Sequence, residues 1–304
     1  FGLMIFDYRK LRNPLVIYSL VAVTGALLIG VLFTPAINNT HRWIRFGLFS
    51  FQPSEFTKLA LVVVLSYQLG RRRDQLADFF TGSFFPLAIT ALFTYLVLIE
   101  PDYGTAMSLV LIGSCLFFIS GVPLSKLVGM ASVSLPVLAY FIYSSPYRMS
   151  RIGVYWDPYI DPLGKGYQVI QSMQAIGSGG MLGTGFMQSQ QKLFYLPEAH
   201  SDFIFAVIGE ELGLFGGLAV LMAFSVVLWR GFVIAWRASD KFGFLLAMGL
   251  TMYLVGQAMI NIGVTLGLLP TTGLPLPFIS AGGSSLIAGL ASVGLLLSVS
   301  QHAR

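Results

Sequence analysis

Apolar residues run along this chain in blocks too long for an ordinary buried helix and too uniform for a one-faced surface helix. A helix needs about 20 mostly apolar residues to cross the hydrocarbon core of a bilayer. Eight blocks are candidate spans: Pro14–Phe33, Phe56–Leu69, Phe84–Ile99, Thr105–Ser120, Leu124–Tyr143, Phe203–Trp229, Phe244–Leu268 and Ser284–Val299. Phe56–Leu69 and Thr105–Ser120 are short, so they are expected to extend into flanking polar residues or to run beside a cavity. The run Phe1–Phe6 reads as the tail of a further helix cut by a fragment boundary. It is apolar, opens without Met and has no basic region ahead of it, unlike a signal peptide.

The interruptions are of two kinds. One set of short loops carries Arg9, Lys10 and Arg12; Arg71, Arg72 and Arg73; Lys126; Arg230, Arg237 and Lys241; and the terminal Arg304. These alternate with the spans and are expected to face the cytoplasm by the bias of Lys and Arg toward that side. The opposite side holds three larger segments, Thr34–Glu55, Ser144–Asp202 and Leu269–Gly283, and the turn Glu100-Pro101-Asp102-Tyr103-Gly104. Polar elaboration is thus expected at the outer leaflet. Within Leu269–Gly283, Pro and Gly forbid a regular helix, while the apolar character suggests a re-entrant segment buried in protein or lining a cavity.

Composition closes off other classes. The 304 residues are 56% hydrophobic and 10% charged, against about 25% charged in soluble domains. The fold class expected is an all-α polytopic membrane protein. A single transmembrane domain covers 1–304, with a large extracytoplasmic loop at 144–202. Cys115 is the single cysteine, so no intrachain disulfide can form. The net charge of +5 orients the spans and does not point to nucleic acid. Neither a P-loop nor a dinucleotide fingerprint is present.

Candidate chemistry gathers in the outer segments. Leu196-Pro197-Glu198-Ala199-His200-Ser201-Asp202 leads into the Phe203 helix. Asp202 there suits an N-cap, where unpaired N–H groups and the helix dipole favour its charge, or a carboxylate base at the membrane surface. Glu210 and Glu211 lie about two turns deeper, roughly 12–13 Å, where ionisable groups are costly and mark function by default. His200 could serve as a loop histidine, a hydrogen-bond partner or a metal ligand, though three histidines make a histidine-rich metal site a poor fit. In the Arg42-Trp43 to Lys58 stretch, Trp43 and the arginines suit interfacial anchoring, and Ser54-Glu55 suits a helix start. Lys58, a turn inside, could snorkel outward, pair with Glu55 or a buried acid, or bind an anionic substrate. Asp102 suits the cap of the helix after its turn, although two acids in so short a turn also suit a site. Arg148 and Arg151 are suited to phosphate, and the glycines of the long loop permit close backbone approach.

These segments, in this order, resemble the SEDS family of bacterial cell-wall proteins (FtsW, RodA and SpoVE) over essentially the whole chain. The resemblance rests on Arg42-Trp43 through Phe51-Gln52-Pro53-Ser54-Glu55 and Lys58; Pro101-Asp102-Tyr103-Gly104-Thr105; and Gly166-Tyr167-Gln168 with Gln171-Ser172. It continues through Leu196 to Phe205, Gly209-Glu210-Glu211-Leu212-Gly213, Pro275-Leu276-Pro277-Phe278-Ile279-Ser280 and Gly282-Gly283-Ser284-Ser285. It implies a SEDS-type helical bundle of ten helices, of which eight spans and a truncated N-terminal helix lie here. Pro197-Glu198-Ala199-His200 and Ile208-Gly209-Glu210-Glu211 favour the division branch, FtsW. Gly185-Phe186-Met187 and Ala281 depart from common family residues, which bears on the branch.

The resemblance further implies a peptidoglycan glycosyltransferase of cell division or cell-shape maintenance, polymerising lipid II at the outer face of the bacterial cytoplasmic (inner) membrane. Its partners would be a class B penicillin-binding protein and other divisome or elongasome membrane proteins. Asp202 matches the family's essential acid and is assigned as base for an inverting attack, in which one carboxylate suffices. It could instead hold a divalent cation, Mg or Mn, against the diphosphate. Arg42, Lys58, Arg148 and Arg151 are candidates for diphosphate contact; Glu198, His200 and Asp102 for orienting the acceptor; Glu55, Glu210 and Glu211 for structural support. Two other classes compete. A lipid II flippase predicts a pathway elaborated on both sides, and a non-catalytic transpeptidase scaffold leaves the intramembrane charges without purpose.

Overall fold

A computed structural model of the chain describes residues 2–35, 40–46, 49–71, 78–143, 146–164, 166–192 and 196–303. Its elements are α1 (Gly2–Ile5), α2 (Pro14–Val31), β1 (Ile44–Phe46), β2 (Phe49–Phe51), α3 (Pro53–Arg71), α4 (Phe84–Ile99) and α5 (Tyr103–Ser120). Then follow α6 (Leu124–Tyr143), α7 (Pro146–Trp156), α8 (Tyr167–Gly179), α9 (Ile204–Trp236), α10 (Lys241–Thr265) and α11 (Gly283–Gln301). Each of the eight apolar blocks contains a helix, and the two short ones extend into polar flanks as expected. Six helices of the described residues are long and apolar enough to cross a membrane. The chain is a multi-pass membrane protein. Arg72 and Arg73 of one basic loop lie outside the described residues.

The chain divides into two compact units. The first comprises Phe1–Leu127, Val227–Gly256 and Gly283–Arg304. Its axis is α3, which packs against α2, α4, α5 and α11. Residues Leu61–Leu65 of α3 are all buried and join Phe93 of α4, Leu109 and Leu116 of α5, and Leu246 and Leu250 of α10 in one core. A helix surrounded on all sides has no polar face, yet α3 carries Glu55 and Lys58 near its start. Those charges therefore need partners inside the protein. A short hairpin precedes α3, with Ile44 opposite Phe51 and Arg45 opposite Ser50. At the other end of α3, Tyr8 is fully buried, receives Ser298 Oγ as the acceptor of its N–H at 3.2 Å and donates its hydroxyl to Asp240.

The second unit comprises Val128–Val226 and Gln257–Gly282. The long loop is not irregular: it holds α7 and α8. Ala175 of α8 packs with Leu196, Ala199, Phe203 and Val207 and with Ile260 and Val264 of α10. Residues 270–276 have no regular structure, as Pro and Gly predict. Polar side chains of α10 satisfy that backbone, the condition for irregular chain at membrane depth. Gln257 Nε2 donates to the carbonyl of Pro275 at 2.8 Å and Asn261 Nδ2 to that of Leu274 at 2.7 Å.

One expectation fails. The Phe203–Trp229 block is not one continuous helix. α9 breaks at Gly213, whose φ of 64° and ψ of −158° leave helical space. Loop residues supply the hydrogen bonds lost at the break. The N–H groups of Thr184 and Gly185 donate to the carbonyls of Glu210 and Glu211 at 2.9 and 3.1 Å, and Leu214 N donates to the carbonyl of Gly180 at 3.0 Å. A Cβ on Gly213 would lie 2.4 Å from Gly183 N. Gly213→Ala is therefore expected to cost at least about 1–3 kcal/mol in backbone strain alone, with the clash added. A detergent melt of the variant checks this, and an unchanged midpoint would show the break is not required.

Candidate active site

Each unit builds one polar cluster. In the first, the turn between α4 and α5 meets the segment before β1 and the start of α3. Asp102 caps α5, accepting from Thr105 N at 3.2 Å and Thr105 Oγ1 at 2.9 Å. Its other bonds come from Gln52 Nε2 and Ser54 Oγ, both at 3.2 Å. Ser284 Oγ accepts from Gln52 N at 3.0 Å, so the head of α11 joins the same cluster. Arg42 donates through Nε to the carbonyl of Glu100 at 3.2 Å and through Nη2 to that of Pro101. These use two of the guanidinium's five N–H donors.

Lys58 does not snorkel. It is 0% exposed, with Nζ 2.7 Å from Glu55 Oε1 and 5.2 Å from the Tyr253 ring centroid. Sequence reading placed Lys58 among diphosphate contacts and Asp102 among groups orienting the acceptor. Both are instead buried and bonded to protein groups, so neither side chain is presented to a substrate. The apolar length of α3 closes over Lys58, and four donors surround Asp102. Glu100 is also 0% exposed, and neither carboxylate oxygen has a hydrogen-bond partner. Burial and the adjacent Asp102 push its carboxyl up to about 9 against the pull of Arg42.

In the second unit, Glu198 adopts a left-handed backbone (φ 56°). Its carbonyl accepts from the N–H groups of Ser201 and Asp202 at 3.1 Å and Phe203 at 3.3 Å. Glu198 Oε2 accepts from Ser201 Oγ at 2.8 Å. The turn is pinned from outside as well. Asn261 Nδ2 donates to the carbonyl of Asp202 at 2.7 Å, Ala281 N to that of His200 at 2.9 Å, and Ser280 Oγ to that of Ser201. Gly273, at φ 73°, runs beside the Asp202 carboxylate: a Cβ there would sit 3.5 Å from Oδ2. Asp202 is partly exposed, and Glu198 and His200 are exposed. A fixed backbone thus presents one carboxylate at an accessible position.

Glu210 and Glu211 sit apart from that turn's chemistry. Glu211 accepts from Met187 N at 3.0 Å, Ser189 N at 3.3 Å and Lys192 Nζ at 2.5 Å. Glu210 accepts from Ser189 Oγ at 2.5 Å, Gln190 N at 3.0 Å and Gln191 N at 3.4 Å. The resemblance assigned both to structural support, and their carboxylates anchor the loop against the α9 break. Arg148 and Arg151 fall on α7, and their side chains lie outside the described residues. Among the described residues no group of three His, Cys, Asp or Glu side chains could hold a metal ion. Among the described residues, a cation held by protein side chains alone does not fit the donor set.

Sequence reasoning missed Asn261, Ser280 and Ser284 as organisers of the clusters, and Lys192 as the partner of Glu211. Asn261 had a signal: Gln257, Asn261 and Thr265 recur every four residues in otherwise apolar α10, a polar stripe on one face. Ser280 and Ser284 had none, since serine is unremarkable beside glycine in a loop.

The FtsW/RodA/SpoVE family model, described as cell cycle protein, matches residues 1–304. A probable peptidoglycan glycosyltransferase FtsW from a Geobacter species is 42% identical over 278 residues, 90% of this chain and 76% of the relative. Stage V sporulation protein E of Bacillus subtilis is 42% identical over 310 residues, 100% of this chain and 83% of the relative. Among solved structures, a chain of a peptidoglycan synthase complex that coordinates polymerization and crosslinking superposes with a TM-score of 0.82 at 33% identity, covering 98% and 84% of the two chains. The rod shape determining protein RodA of Thermus thermophilus superposes with a TM-score of 0.71 at 30% identity, covering 98% and 81%. With the whole length matched and the polar motifs folded into two ordered clusters, the chain belongs to the FtsW/RodA/SpoVE family and is FtsW-like.

Proposed function

We propose that this chain is a peptidoglycan glycosyltransferase that polymerises lipid II, with Asp202 as the general base. The observation that carries the reading is the Asp202 turn: a partly exposed carboxylate at the head of α9 on a backbone pinned at Glu198, Ser201 and Asp202 itself. A base needs a fixed position more than a perturbed affinity for protons. In the reaction, Asp202 removes the proton of the acceptor sugar 4-hydroxyl. The freed oxygen forms a bond to the donor's anomeric carbon as the bond from that carbon to the diphosphate breaks. The diphosphate leaves with the electron pair, and the anomeric centre inverts, so a second carboxylate nucleophile is unnecessary.

The departing charge needs positive groups. Arg42 is held on the carbonyls of Glu100 and Pro101, which leaves the rest of its guanidinium for an anionic oxygen. Arg148 and Arg151 on α7 are the other candidates. Lys58, buried against Glu55, is not among them. Glu198 and His200, exposed on the turn, orient the acceptor. The bias of Lys and Arg to one set of short loops supports chemistry outside the cytoplasm, at the bacterial inner membrane. A class B penicillin-binding protein crosslinks the strands as they emerge.

Full-length protein co-purified with that transpeptidase and supplied with lipid II is expected to yield glycan strands resolved by gel. Transbilayer movement of labelled lipid II in proteoliposomes, without polymer, would overturn the reading in favour of a flippase.

A further inference from the structure

Glu100 is the one carboxyl among the described residues that has no exposed surface and no hydrogen-bond partner for either oxygen. A carboxylate ion in that state would lack both water and a hydrogen-bond donor, a penalty that drives such a group to take up a proton instead. Its own backbone carbonyl nevertheless accepts from Arg42 Nε at 3.2 Å. The guanidinium thus lies on the Glu100 main chain while its side chain remains unbonded.

The charged and titratable neighbours explain why. Asp102, in the same turn, is held as an acceptor by four donors and repels a second negative charge. On the segment into β1 the groups are His41, Arg42 and Arg45. His41 Nδ1 lies 2.6 Å from the carbonyl of Thr34, and Arg45 is exposed. On α3, Glu55 and Lys58 pair with each other, and Tyr253 of α10 covers Lys58. Tyr103 begins α5. Of these, Arg42 is the cation that lowers the Glu100 proton affinity, and its guanidinium donates to the carbonyls of Glu100 and Pro101.

We propose that Glu100 is a proton-holding positioning residue: kept neutral, it leaves Arg42 on the turn carbonyls with an edge free for the donor diphosphate, and ionised, it captures Arg42. This rests on the reading of Arg42 as a donor contact. The capture follows from chemistry, because a buried carboxylate next to a guanidinium forms a short, charge-assisted pair stronger than bonds to neutral carbonyls. The result would be an enzyme that loses affinity for its anionic substrate in alkali while its base stays competent.

The full-length protein with its transpeptidase, as wild type and Glu100→Gln, tests this. Infrared difference spectra should show a protonated-carboxyl band at pH 7 in wild type, absent from Glu100→Gln and lost as pH passes about 9. In lipid II polymerisation, wild-type kcat/KM should fall about tenfold per pH unit above that midpoint, through KM, and the Gln variant should lack that limb. Stability carries a further sign. The folded carboxyl titrates near 9 and the unfolded one near 4.5, so unfolding releases a proton between those values. Wild-type stability should fall as pH rises through that window and be level below it, and Glu100→Gln should remove the slope. Absence of the infrared band, or an unchanged alkaline limb in the Gln variant, would overturn the proposal. An Arg42→Ala protein with normal KM alongside an intact Glu100 band would instead sink the donor-contact reading and, with it, the capture step.

Discussion

Asp202→Asn should abolish glycan polymerisation, with a loss of at least about 10²–10⁴-fold, while the protein still folds and binds its transpeptidase. The variant keeps the size of the side chain and removes its basicity. The turn does not depend on the carboxylate for its shape, because the main-chain carbonyls of Glu198, His200, Ser201 and Asp202 carry the bonds that hold it. Loss of activity with an unchanged detergent melt would therefore report chemistry. Asp202→Ala should behave alike. Asp202→Glu should lose most activity as well, since one added methylene moves the base off a position that Gly273 and Asn261 define from either side. Polymer formation and melting midpoint are measured on the same preparations with lipid II as substrate. If Asp202→Asn polymerises at near wild-type rate, another group removes the proton and the assignment fails.

The second large effect is structural. Lys58→Met should destabilise the protein by about 3–5 kcal/mol, because it leaves Glu55 as an uncompensated charge inside the helix bundle. Both side chains are closed off from solvent and 2.7 Å apart, so screening offers no relief. The paired change Glu55→Gln with Lys58→Met should recover much of that loss, since removing both charges also removes the penalty of burying them. Lys58→Arg is not conservative here: the planar guanidinium needs more room than the space between Glu55 and the Tyr253 ring provides. Chemical or thermal melts in detergent measure all three. If the single and double variants are equally unstable, Lys58 contributes through packing and not through its charge. Activity in a stable double variant would show that the buried cation is dispensable to the reaction.

The eight helices could be read directly because hydrocarbon accepts one kind of backbone and demands apolar side chains of a set length. The irregular stretch at 270–276 was equally readable, since Pro and Gly leave a helix no choice. The branch-like motif around Asp202 named the acid and the turn. The break at Gly213 was not readable. Glycine is tolerated inside membrane helices, and nothing near Gly213 says that the carbonyls of Glu210 and Glu211 will be capped by Thr184 and Gly185. For the same reason the supporting role of Glu210 and Glu211 was named without its partners, which are loop N–H groups some twenty residues away.

Residue types and spacing alone determined that this is a multi-pass helical membrane protein and that Asp202 leads into one of its helices. Hydropathy and local backbone preference act along the chain, so they are written in it. Tertiary structure decided that Lys58 is paired and hidden, that Asp102 is a cap, that Glu100 is buried without a hydrogen-bond partner and that α9 breaks. Each depends on which groups from distant segments meet where water does not reach.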